Sequence, residues 1–522
     1  MGLDQQDRDS IRLSQPIGGH NWTYSTLAPN ATIQGNNGPI YTNNTGAPQE
    51  YTFDRLFTNA GLGGMFNSEL TAYYIEDEWQ FNDNFVLYLG ARKDQLTNYG
   101  TTGIPFADFD QEWAPRLGVS WSPGGDADSK VFSTWGRYFL PVPNNTNFRV
   151  GSGVSDTTTY YLYTGVDSTD GQPTGITPIN GSLPGSTIVN SASAPPTKDQ
   201  FQAQEADAFF KEEFILGYER ELGDGYMGRV RYVNRTVGAT LDDYCGVWSN
   251  PGYCTMVNPG FGGSWSSSPG GELVFYDADT IGLPKGKNDY DSMQLELQYA
   301  GDRLIYNAIY VWSQSRGNFE GAVKSDIVQV DAGITQDFDF PALMDGADGY
   351  LPNDRRHVFK FYGSYSITDK LSAGWNAVLA SGRPLSVYGA GYPDTGANVF
   401  GSYGDTYYLF TTTCNLAGGG VGACPQNALQ EDKIYTFQSR GTAGRTPWTA
   451  NLDASMNYDF EVSGVQFSAA LQVFNILNIQ EATSINEHAE ARRSEGNPNE
   501  WYGAAYNWQQ PRRVRLSIQA RF

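Results

Sequence analysis

The residues that most often carry out catalysis are few and scattered in this sequence. Its three histidines, His20, His357 and His488, lie far apart in segments of different character. The sequence contains no HExxH, GxSxG or phosphate-binding Walker motif, and these are the patterns that would place metal ligands, a nucleophile or phosphate-binding amides. We therefore predict that the chain is not an enzyme and that it uses no cofactor.

Clustered aspartates are a second group with possible chemistry, because loop carboxylates can bind calcium. One cluster lies within 337–354 and a smaller one within 167–170. Their spacing fits no EF-hand loop. We assign no metal site and interpret these side chains as solvated loop charges, the group comprising Asp167, Asp170, Asp337, Asp339, Asp345, Asp348 and Asp354.

The four cysteines fall into two local pairs in Gly-rich, loop-like segments. Neither spacing is the C-x₂-C of a zinc knuckle. Small loops closed by disulfides are typical of proteins that fold in an oxidising compartment. We predict the disulfides Cys245–Cys254 and Cys414–Cys424, with four unpaired thiols as the alternative.

The composition argues against several protein classes. The 522 residues include 34 Lys and Arg against 57 Asp and Glu, a net charge of −23, so we expect no nucleic-acid partner. Aromatic residues make up 14% of the chain, whereas acidic disordered chains are poor in aromatics. No stretch reaches about 18 uninterrupted apolar residues, so transmembrane helices are not predicted. Spanning a membrane with strands is compatible with this composition.

Side chains alternate between apolar and polar in runs of about ten residues, the period of strands with two different faces. About thirteen such runs can be counted. Residues 449–460 and 465–473 are two of them. In the last run the apolar positions are Val514, Leu516, Ile518, Ala520 and Phe522, and the polar positions are Arg513, Arg515, Ser517, Gln519 and Arg521.

The connections between these runs alternate between short and long. The short ones have turn chemistry and lie at Phe81–Asn84, Pro123–Ser129, Leu222–Gly225, Gly301–Asp302, Thr368–Asp369 and near Gly464. The long ones are polar and lie at 98–109, 141–207, 240–287, 317–354, 384–446 and 478–510. This asymmetry is typical of outer-membrane barrels, which have short periplasmic turns and long extracellular loops.

We therefore predict an all-β fold, a transmembrane antiparallel β-barrel in the bacterial outer membrane. In lipid, every backbone polar group needs a partner within the protein, which leaves helices and closed barrels as the spanning structures. Charged and amide side chains on one strand face suit a wet lumen better than the core of a sandwich. A secreted soluble β-sandwich with cross-strand aromatic pairs is the alternative.

Several segments resemble TonB-dependent outer-membrane receptors, in particular the Oar-like group. The matching stretches are YYIEDEWQFNDNFVLYLGARKD (73–94), EWAPRLGVSWSPGG (112–125), STWGRYF (133–139), GYLPNDRRHVFKFYGSY (349–365), LQVFNILN (471–478) and RVRLSIQARF (513–522). The resemblance implies that the last strand, through Val514, Leu516, Ile518, Ala520 and the terminal Phe522, is read by the barrel-assembly machinery. A lipid-facing ring is the simpler interpretation of Phe522.

The same resemblance implies parts that this sequence does not match. Such receptors have an N-terminal plug inside a 22-stranded barrel and a preceding segment that contacts the TonB complex. Neither is visible here, and the opening MGLDQQDRDSIRLSQ lacks a secretory signal. We therefore expect the C-terminal part of a longer receptor, with 1–66 as extracellular loop, 67–522 as barrel, and TonB contacts only through a missing region.

Two further sets of residues are candidates for function. The first set consists of cationic side chains near lumen-facing positions, which could pair with a plug or attract an anionic ligand. The alternative is that they pair with Glu296, Asp453 and Asp459 across the barrel interior. The set is Arg229, Arg231, Arg235, Arg355, Arg356 and Lys360. Loop tyrosines could bind a small ligand or peptide by stacking, or pack loops together; this set is Tyr160, Tyr161, Tyr163, Tyr407 and Tyr408.

The predicted function is that of a receptor and transporter. Its loops would bind a ligand, and its lumen would conduct that ligand into the periplasm. The alternative within the same fold is a surface adhesion or interaction barrel that transports nothing.

Overall fold

The computed structural model describes residues 2–12, 22–35, 38–60, 64–124, 128–151, 153–192, 196–246, 254–268, 270–329, 332–393, 404–416, 418–425, 428–492 and 494–521. All structural statements below refer to these residues.

The alternating runs form one large antiparallel sheet. In the described ranges its main path has fourteen strands, each paired with its neighbours in chain order. These strands are β1 (Gly2–Arg12), β2 (Gly64–Asn82), β3 (Phe85–Tyr99), β4 (Pro105–Trp121), β5 (Ser129–Phe139), β6 (Phe210–Gly223), β7 (Tyr226–Ala239), β8 (Asn288–Ala300), β9 (Leu304–Gly317), β10 (His357–Ser366), β11 (Leu371–Ala380), β12 (Thr449–Val462), β13 (Val465–Phe474) and β14 (Arg513–Arg521).

Thirteen of these strands, β2 to β14, correspond to the thirteen alternating runs counted in the sequence. The first strand differs from the prediction, because 1–66 was expected to be loop. Gly2–Arg12 pairs antiparallel with β2 from Gly2 opposite Tyr74 to Arg12 opposite Gly64. Within the described residues, β1 and β14 each pair on one side only.

The pairing register keeps the apolar side chains of successive strands on one face. Leu516 of β14 lies opposite Leu471 of β13, which lies opposite Met456 of β12, and Met456 lies opposite Ala373 of β11. Shifting one strand by a single residue would turn its apolar side chains to the other face. The register is therefore consistent across these strands, as the sequence alternation predicts.

Tight turns join the strands at one end of the sheet, as predicted. Ser463 and Gly464, between β12 and β13, both have positive φ angles, 53° and 81°. This is the conformation of the two-residue turns that match the twist of paired strands. Asp224 and Gly225 connect β6 and β7 in the same way, with φ angles of 52° and 82°.

Five of the six predicted long connections are found at the other end, with slightly shifted bounds. They occupy 140–209, 240–287, 318–356, 381–448 and 475–512. The prediction of a long loop at 98–109 is wrong. β3 and β4 extend through most of it and remain paired, with Tyr99 opposite Pro105, so only 100–104 connects them.

The five long connections pack together into one body, here called the loop cap. It shares a buried apolar core with the ends of β3 and β4, including Phe106, Phe201, Met256, Phe319 and Phe338. Short strands and helices give it local order. The strands are Asp242–Tyr244, Thr255–Val257, Gly263–Trp265, Val274–Tyr276, Gly349–Tyr350, Tyr408–Asn415, Val421–Ala423, Lys433–Phe437, Ala482–Ile485 and Ala505–Trp508.

The helices of the structure are short and lie in the connections. They are α1 (Asn144–Val150), α2 (Lys198–Phe201), α3 (Ala278–Ile281) and α4 (Pro341–Met344), with 3₁₀ turns at Pro184–Ser186, Ser325–Ile327 and Gln430–Asp432. None of the helices in the described part of the chain has the length and apolar character to cross a bilayer.

A separate five-stranded sheet, here called the loop sheet, joins the β1–β2 connection to the β5–β6 connection. Its strands are Trp22–Leu27, Gln49–Ala60, Gly153–Leu162, Thr177–Pro178 and Thr187–Ala192. One of its faces buries Leu27, Ile33 and Ile179 against a hairpin of strands Thr32–Gly35 and Gly38–Thr42. A second small hairpin, Gly165–Val166 with Pro173–Thr174, follows Tyr163 and Thr164.

Candidate functional site

The loop cap is held together at its centre by a buried cluster of charges. Lys324 and Arg440 are the cations, and Asp326 and Asp337 are the anions; the side chains are at most 1% exposed. Lys324 Nζ lies 2.6 Å from Asp337 Oδ1, and Arg440 Nη2 lies 3.2 Å from the same oxygen. Arg440 Nε lies 3.5 Å from Asp326 Oδ2. The four charges sum to zero, as a buried cluster requires.

Electrostatics in this cluster keep Asp337 ionised. Burial by itself would raise its pKa, but Lys324 and Arg440 outweigh burial and lower the pKa below its usual value. Tyr388 completes the cluster by donating its hydroxyl to Asp326. Burial and the nearby Asp326 raise the pKa of Tyr388 well above its usual value. No local sequence pattern identifies this cluster, because its outermost members, Lys324 and Arg440, are 116 residues apart.

A second buried ion pair joins the last connection, 475–512, to the rest of the loop cap. Arg383 Nη2 lies 2.5 Å from Glu487 Oε1, and Ser386 N donates to Glu487 Oε2 at 2.5 Å. Burial raises the pKa of Glu487 to about 7, although Arg383 acts in the opposite direction. Nearby, Asp405 accepts from Gln336 at 2.8 Å and lies 3.1 Å from His488 Nε2. These contacts join 318–356, 381–448 and 475–512.

The candidate tyrosines occupy different environments. Tyr407 is fully buried, with its ring 5.2 Å from that of Tyr388, so it packs loops together and offers no ring to a ligand. Tyr408 is half-buried and donates its hydroxyl to Asp345. Tyr160 faces the inner side of the loop sheet, with its ring 5.5 Å from that of Phe53.

Tyr161 and Tyr163 lie on the opposite face of the loop sheet, together with two rings that the sequence analysis did not identify. Trp22 and Tyr161 form an edge-to-face pair at 5.5 Å, and Tyr24 and Tyr163 form another at 5.3 Å. Tyr163 also donates its hydroxyl to Glu50 at 2.8 Å. The alternation of Trp22, Tyr24 and Thr26 is the sequence signal that would have identified this strand.

The candidate cations of the sheet lie on its polar face, where a row of charges crosses four strands. Lys130 of β5 lies 2.5 Å from Glu219 of β6, which lies 2.8 Å from Arg229 of β7. Arg229 lies 3.0 Å from Glu296 of β8. The predicted pairing of Arg229 with Glu296 is therefore present, and Glu219 is a further partner.

The remaining candidate cations are used differently. Arg231 donates from Nε to Gln294 at 3.1 Å, and Arg235 pairs with Glu213. Lys360 lies on β10 opposite Ile309 and Val378, is exposed, and has no ion-pair partner in the described ranges.

Arg355 and Arg356 lie just before β10, at the base of the loop cap. Arg355 donates to Ser381 O at 3.0 Å, and Arg356 Nη2 lies 3.3 Å from Asp354 Oδ2. Asp354 also accepts from Ser315 N at 2.8 Å. The two arginines thus fix the junction between cap and sheet.

The predicted disulfides Cys245–Cys254 and Cys414–Cys424 are both present. Asp243 and Asp339 lie close to the first of them, but oxidised cysteines cannot serve as thiolate ligands.

The aspartates interpreted as solvated loop charges do not converge on one point. That interpretation is wrong for Asp337, Asp339 and Asp354, which are buried where the long connections pack together. Asp337 pairs with Lys324, Asp348 with Lys287, and Asp354 with two arginines. Asp167 and Asp170 accept from backbone amides two residues ahead in their own hairpin, at 2.8 and 3.0 Å.

The sequence matches the family described as outer membrane beta barrel domain over residues 95–497. The chain belongs to this family. The outer membrane β-barrel assignment places the protein in the bacterial outer membrane, with the apolar face of the sheet toward lipid and the polar face toward the lumen.

Individual proteins similar to this barrel are receptors and transporters. The TonB-dependent transporter Oar of Myxococcus xanthus is 23% identical over 443 residues, which are 79% of this chain and 36% of that protein. The chain therefore spans about a third of that relative's length. It also spans about half the length of two solved structures, PiuA and the ferripyoverdine receptor.

Two solved structures that match this chain are described as receptors. PiuA from Acinetobacter baumannii is 11% identical with a TM-score of 0.44, covering 90% of this chain and 52% of PiuA. The ferripyoverdine receptor of Pseudomonas aeruginosa is also 11% identical with a TM-score of 0.44, covering 90% of this chain and 44% of the receptor.

The last strand has the apolar face on which the predicted assembly signal depends, and the signal itself stays a prediction. Val514, Leu516 and Ile518 lie on the lipid-facing side and are 66% to 71% exposed. Ala520 lies on the same face, opposite Phe467. Phe522 lies outside the described residues.

Proposed function

We propose that the chain is the barrel portion of a TonB-dependent receptor, which binds a ligand at its extracellular loops and conducts it through the lumen into the periplasm. It acts by binding and gating and carries out no catalysis. The observation that supports this function best is one continuous sheet with an exposed apolar face and an ion-paired polar face.

The exposure of the apolar face favours a membrane over an aqueous environment. Leu516, Leu471 and Met456 are 71%, 42% and 46% exposed. Fully burying such a side chain stabilises a protein by about 1.5 to 3 kcal/mol. The exposed part of each side chain forgoes its share of this energy in water, whereas in lipid the same surface contacts hydrocarbon. A soluble sandwich would have covered this face with a second sheet.

The polar face has the properties expected of a lumen wall. Lys130, Glu219, Arg229 and Glu296 compensate one another, so that this part of the wall carries no net charge. Lys360 and Arg515 carry charges that are exposed and lack ion-pair partners among the described residues. We propose that these two cations contact the plug or an anionic part of the ligand.

The loop cap and loop sheet supply the extracellular surface in this proposal. Four of the candidate tyrosines are partly exposed, namely Tyr160, Tyr161, Tyr163 and Tyr408. Buried Tyr407 instead fixes the shape of the cap. Residues 22–60, which include strands of the loop sheet, would lie outside the cell together with the cap.

Three partners complete the proposal. The barrel-assembly machinery would read the last strand through Val514, Leu516, Ile518, Ala520 and Phe522. The TonB complex would act through a plug and contact segment encoded before residue 1. Outer-membrane lipid would surround the apolar face.

Cysteine labelling tests the topology, and the chain suits it because its four native cysteines are disulfide-bonded. Thr169→Cys places a thiol on the small hairpin formed by Gly165–Val166 and Pro173–Thr174, and Asp369→Cys places one on a tight turn. A membrane-impermeant maleimide added to intact cells should label the first variant only. Labelling of Asp369→Cys without permeabilisation, or recovery of the chain in the soluble fraction, would contradict the proposal.

A lumenal thiol separates transport from adhesion. Ser455→Cys lies on the polar face between β11 and β13, and Met456→Cys is the matched variant on the apolar face. A water-soluble reagent should reach Ser455→Cys and spare Met456→Cys. If Ser455→Cys stays unlabelled while Thr169→Cys reacts, the barrel offers no aqueous path and surface binding remains its function.

A further inference from the structure

The outer strand of the loop sheet, Trp22–Leu27, has an open edge. In the described residues it pairs with Gln49–Ala60 on one side and with no strand on the other. A strand edge exposes alternate N–H and C=O groups, and natural proteins usually protect such edges with lysine, proline or a bulge. The sequence WTYSTL contains neither lysine nor proline, and its register runs without a bulge.

Aromatic rings form a row beside this edge. Tyr24 lies opposite Thr52, and Thr52 lies opposite Tyr161 on the next strand. Thr52 is fully buried at its position between Tyr24 and Tyr161. Trp22 pairs diagonally with Tyr161, and Tyr24 pairs diagonally with Tyr163. If a further strand were added at this edge, every second side chain of that strand would lie beside these rings.

The charge around the rings is negative. The segments 22–60 and 153–192 contain five acidic residues, one basic residue and no lysine; the acidic ones are Glu50, Asp54, Asp156, Asp167 and Asp170, and the basic one is Arg55. Glu50 is exposed and bonded to the Tyr163 hydroxyl. The Tyr24 hydroxyl donates to Gly171 O at 2.7 Å, which places Asp170 beside this ring.

We propose that the Trp22–Leu27 edge binds an extended, lysine- or arginine-bearing peptide segment of a protein ligand as an added strand. This inference rests on the proposed function, since it names the class of ligand that the extracellular surface captures. Main-chain hydrogen bonds to the edge supply affinity. Cationic side chains at alternate positions lie over the rings and near Glu50.

Each part of the site selects for this occupant. A folded globular partner or a free amino acid would leave most of the edge amides unpaired. An acidic peptide would meet the carboxylates of Glu50 and Asp170. A neutral glycan could stack on the rings, but it would neither need the edge amides nor respond to salt.

Peptide binding to the full chain, folded in detergent or in outer-membrane vesicles, tests the proposal. The probes are a short fluorescent peptide of alternating threonine and lysine, the same peptide methylated on alternate backbone nitrogens, and a threonine–glutamate counterpart. The lysine peptide should bind in a salt-dependent manner. The methylated peptide should bind at least about tenfold more weakly, because it cannot donate to the edge.

Glu50→Gln tests the contribution of charge, with Glu431→Gln in the loop cap as the matched control; both glutamates are exposed. Loss of one surface ion pair should weaken the lysine peptide about two- to fivefold in Glu50→Gln and leave it unchanged in Glu431→Gln. Three outcomes would overturn the proposal. The methylated peptide could bind as tightly as the unmethylated lysine peptide, the glutamate peptide could bind as tightly as the lysine peptide, or Glu50→Gln and Glu431→Gln could change lysine-peptide binding equally.

This result is separable from the proposed function. If Thr169→Cys is labelled on intact cells and Ser455→Cys is reached by a water-soluble reagent, the proposed barrel topology is supported whether or not the peptides bind. Failure of the peptides alone would then remove the edge site and leave the receptor assignment intact.

Discussion

At the scale of single residues, the centre of the loop cap is the most informative feature. Two cations and two anions share a buried site, and each cation lies within 3.5 Å of an anion. A buried ion pair adds little stability over an apolar pair of the same volume, but removing one partner leaves an uncompensated charge. The cluster therefore favours one arrangement of two connections, 318–356 and 381–448, over all others.

Lys324→Met should destabilise the cap by about 3 to 5 kcal/mol, because Asp326 and Asp337 then share Arg440 as their one close cation. Hydrogen exchange of the amides in 318–356 measures this loss as local opening. Lys287→Met is the matched control, since Lys287 and its partner Asp348 are about half exposed and their pair contributes about 1 kcal/mol or less. Similar exchange in the two variants would refute the role of the cluster.

The cap should become less stable as pH rises from about 4.5 to about 7. Burial raises the folded-state pKa of Glu487 from 4.5 to about 7, so the folded cap binds this proton more tightly than the unfolded chain. That stabilisation is fully present below pH 4.5 and is lost as pH passes through 7. Exchange of the Ser386 amide, which donates to Glu487, reports the change. Glu487→Gln should flatten the pH dependence, and an unchanged slope would reject this assignment.

Single residues were predicted from sequence only where the chemistry is local. The cysteine pairs are close in sequence, and both disulfides were predicted. Tyr407 and Lys324 are surface-type residues in long polar loops, yet both are fully buried, because two distant connections pack on each other. Lys324 Nζ lies 5.4 Å from the ring centroid of Tyr388 and 6.0 Å from that of Tyr407. Composition of the loop carries no information about such partners.

At the scale of elements, the tight turns show how similar backbone angles can have different tolerance to substitution. Gly225 and Gly464 have nearly equal φ angles of 82° and 81°. A methyl group on Gly225 would lie 2.4 Å from Ala300 O, whereas one on Gly464 would meet nothing within 4 Å. Position in the sheet, not the turn itself, causes the difference.

Gly464→Ala should cost about 1 kcal/mol, the penalty of a left-handed backbone for an L-residue. Gly225→Ala should cost more, because the β7–β8 ladder must also shift away from the new methyl group. Urea unfolding of the barrel in detergent or lipid, followed by electrophoretic mobility of the folded form, compares the two. An equal loss of stability in both variants would contradict the steric argument.

The two faces of each strand should respond in opposite ways to a new charge. Leu471→Arg places a guanidinium on the lipid-facing side of β13 and should cost about 2 to 4 kcal/mol at membrane depth. Gln472→Arg places it on the lumenal side, where water solvates it, and should be nearly neutral. Reconstitution yield and urea midpoint in lipid vesicles measure both. If Gln472→Arg were the more damaging variant, the assignment of the faces would be reversed.

Strands and turns were largely predictable because their signals are local. Alternation identified β2 to β14, and turn-forming residues identified the tight connections. The signal failed at Gly2–Arg12, where Asp4, Gln5, Gln6 and Asp7 interrupt the alternation. It also failed at 98–109, where paired β3 and β4 continue through polar residues that the sequence marks as loop.

At the scale of the whole molecule, the sheet and the loop cap follow different rules. The sheet is built from neighbours in the chain, so its order follows from the sequence alone. The cap is built from distant segments: Thr335 N and Oγ1 donate to Asp242 at 2.9 and 2.7 Å, from 93 residues away. The sequence predicted long loops, but it could not predict that four of them share one apolar core or that the fifth, 475–512, joins them through Arg383–Glu487 and Asp405–His488.

The shared charge cluster also constrains how this protein can change over evolutionary time. A substitution that removes the charge at 324, 326, 337 or 440 leaves the other three positions with an unbalanced charge inside the cap. Among homologous sequences, these positions should therefore change together or remain as they are. The hairpin around Asp167–Gln172, whose bonds are mostly to itself, should accumulate differences one at a time, so that receptors of one lineage would diversify at this tip while keeping the same cap.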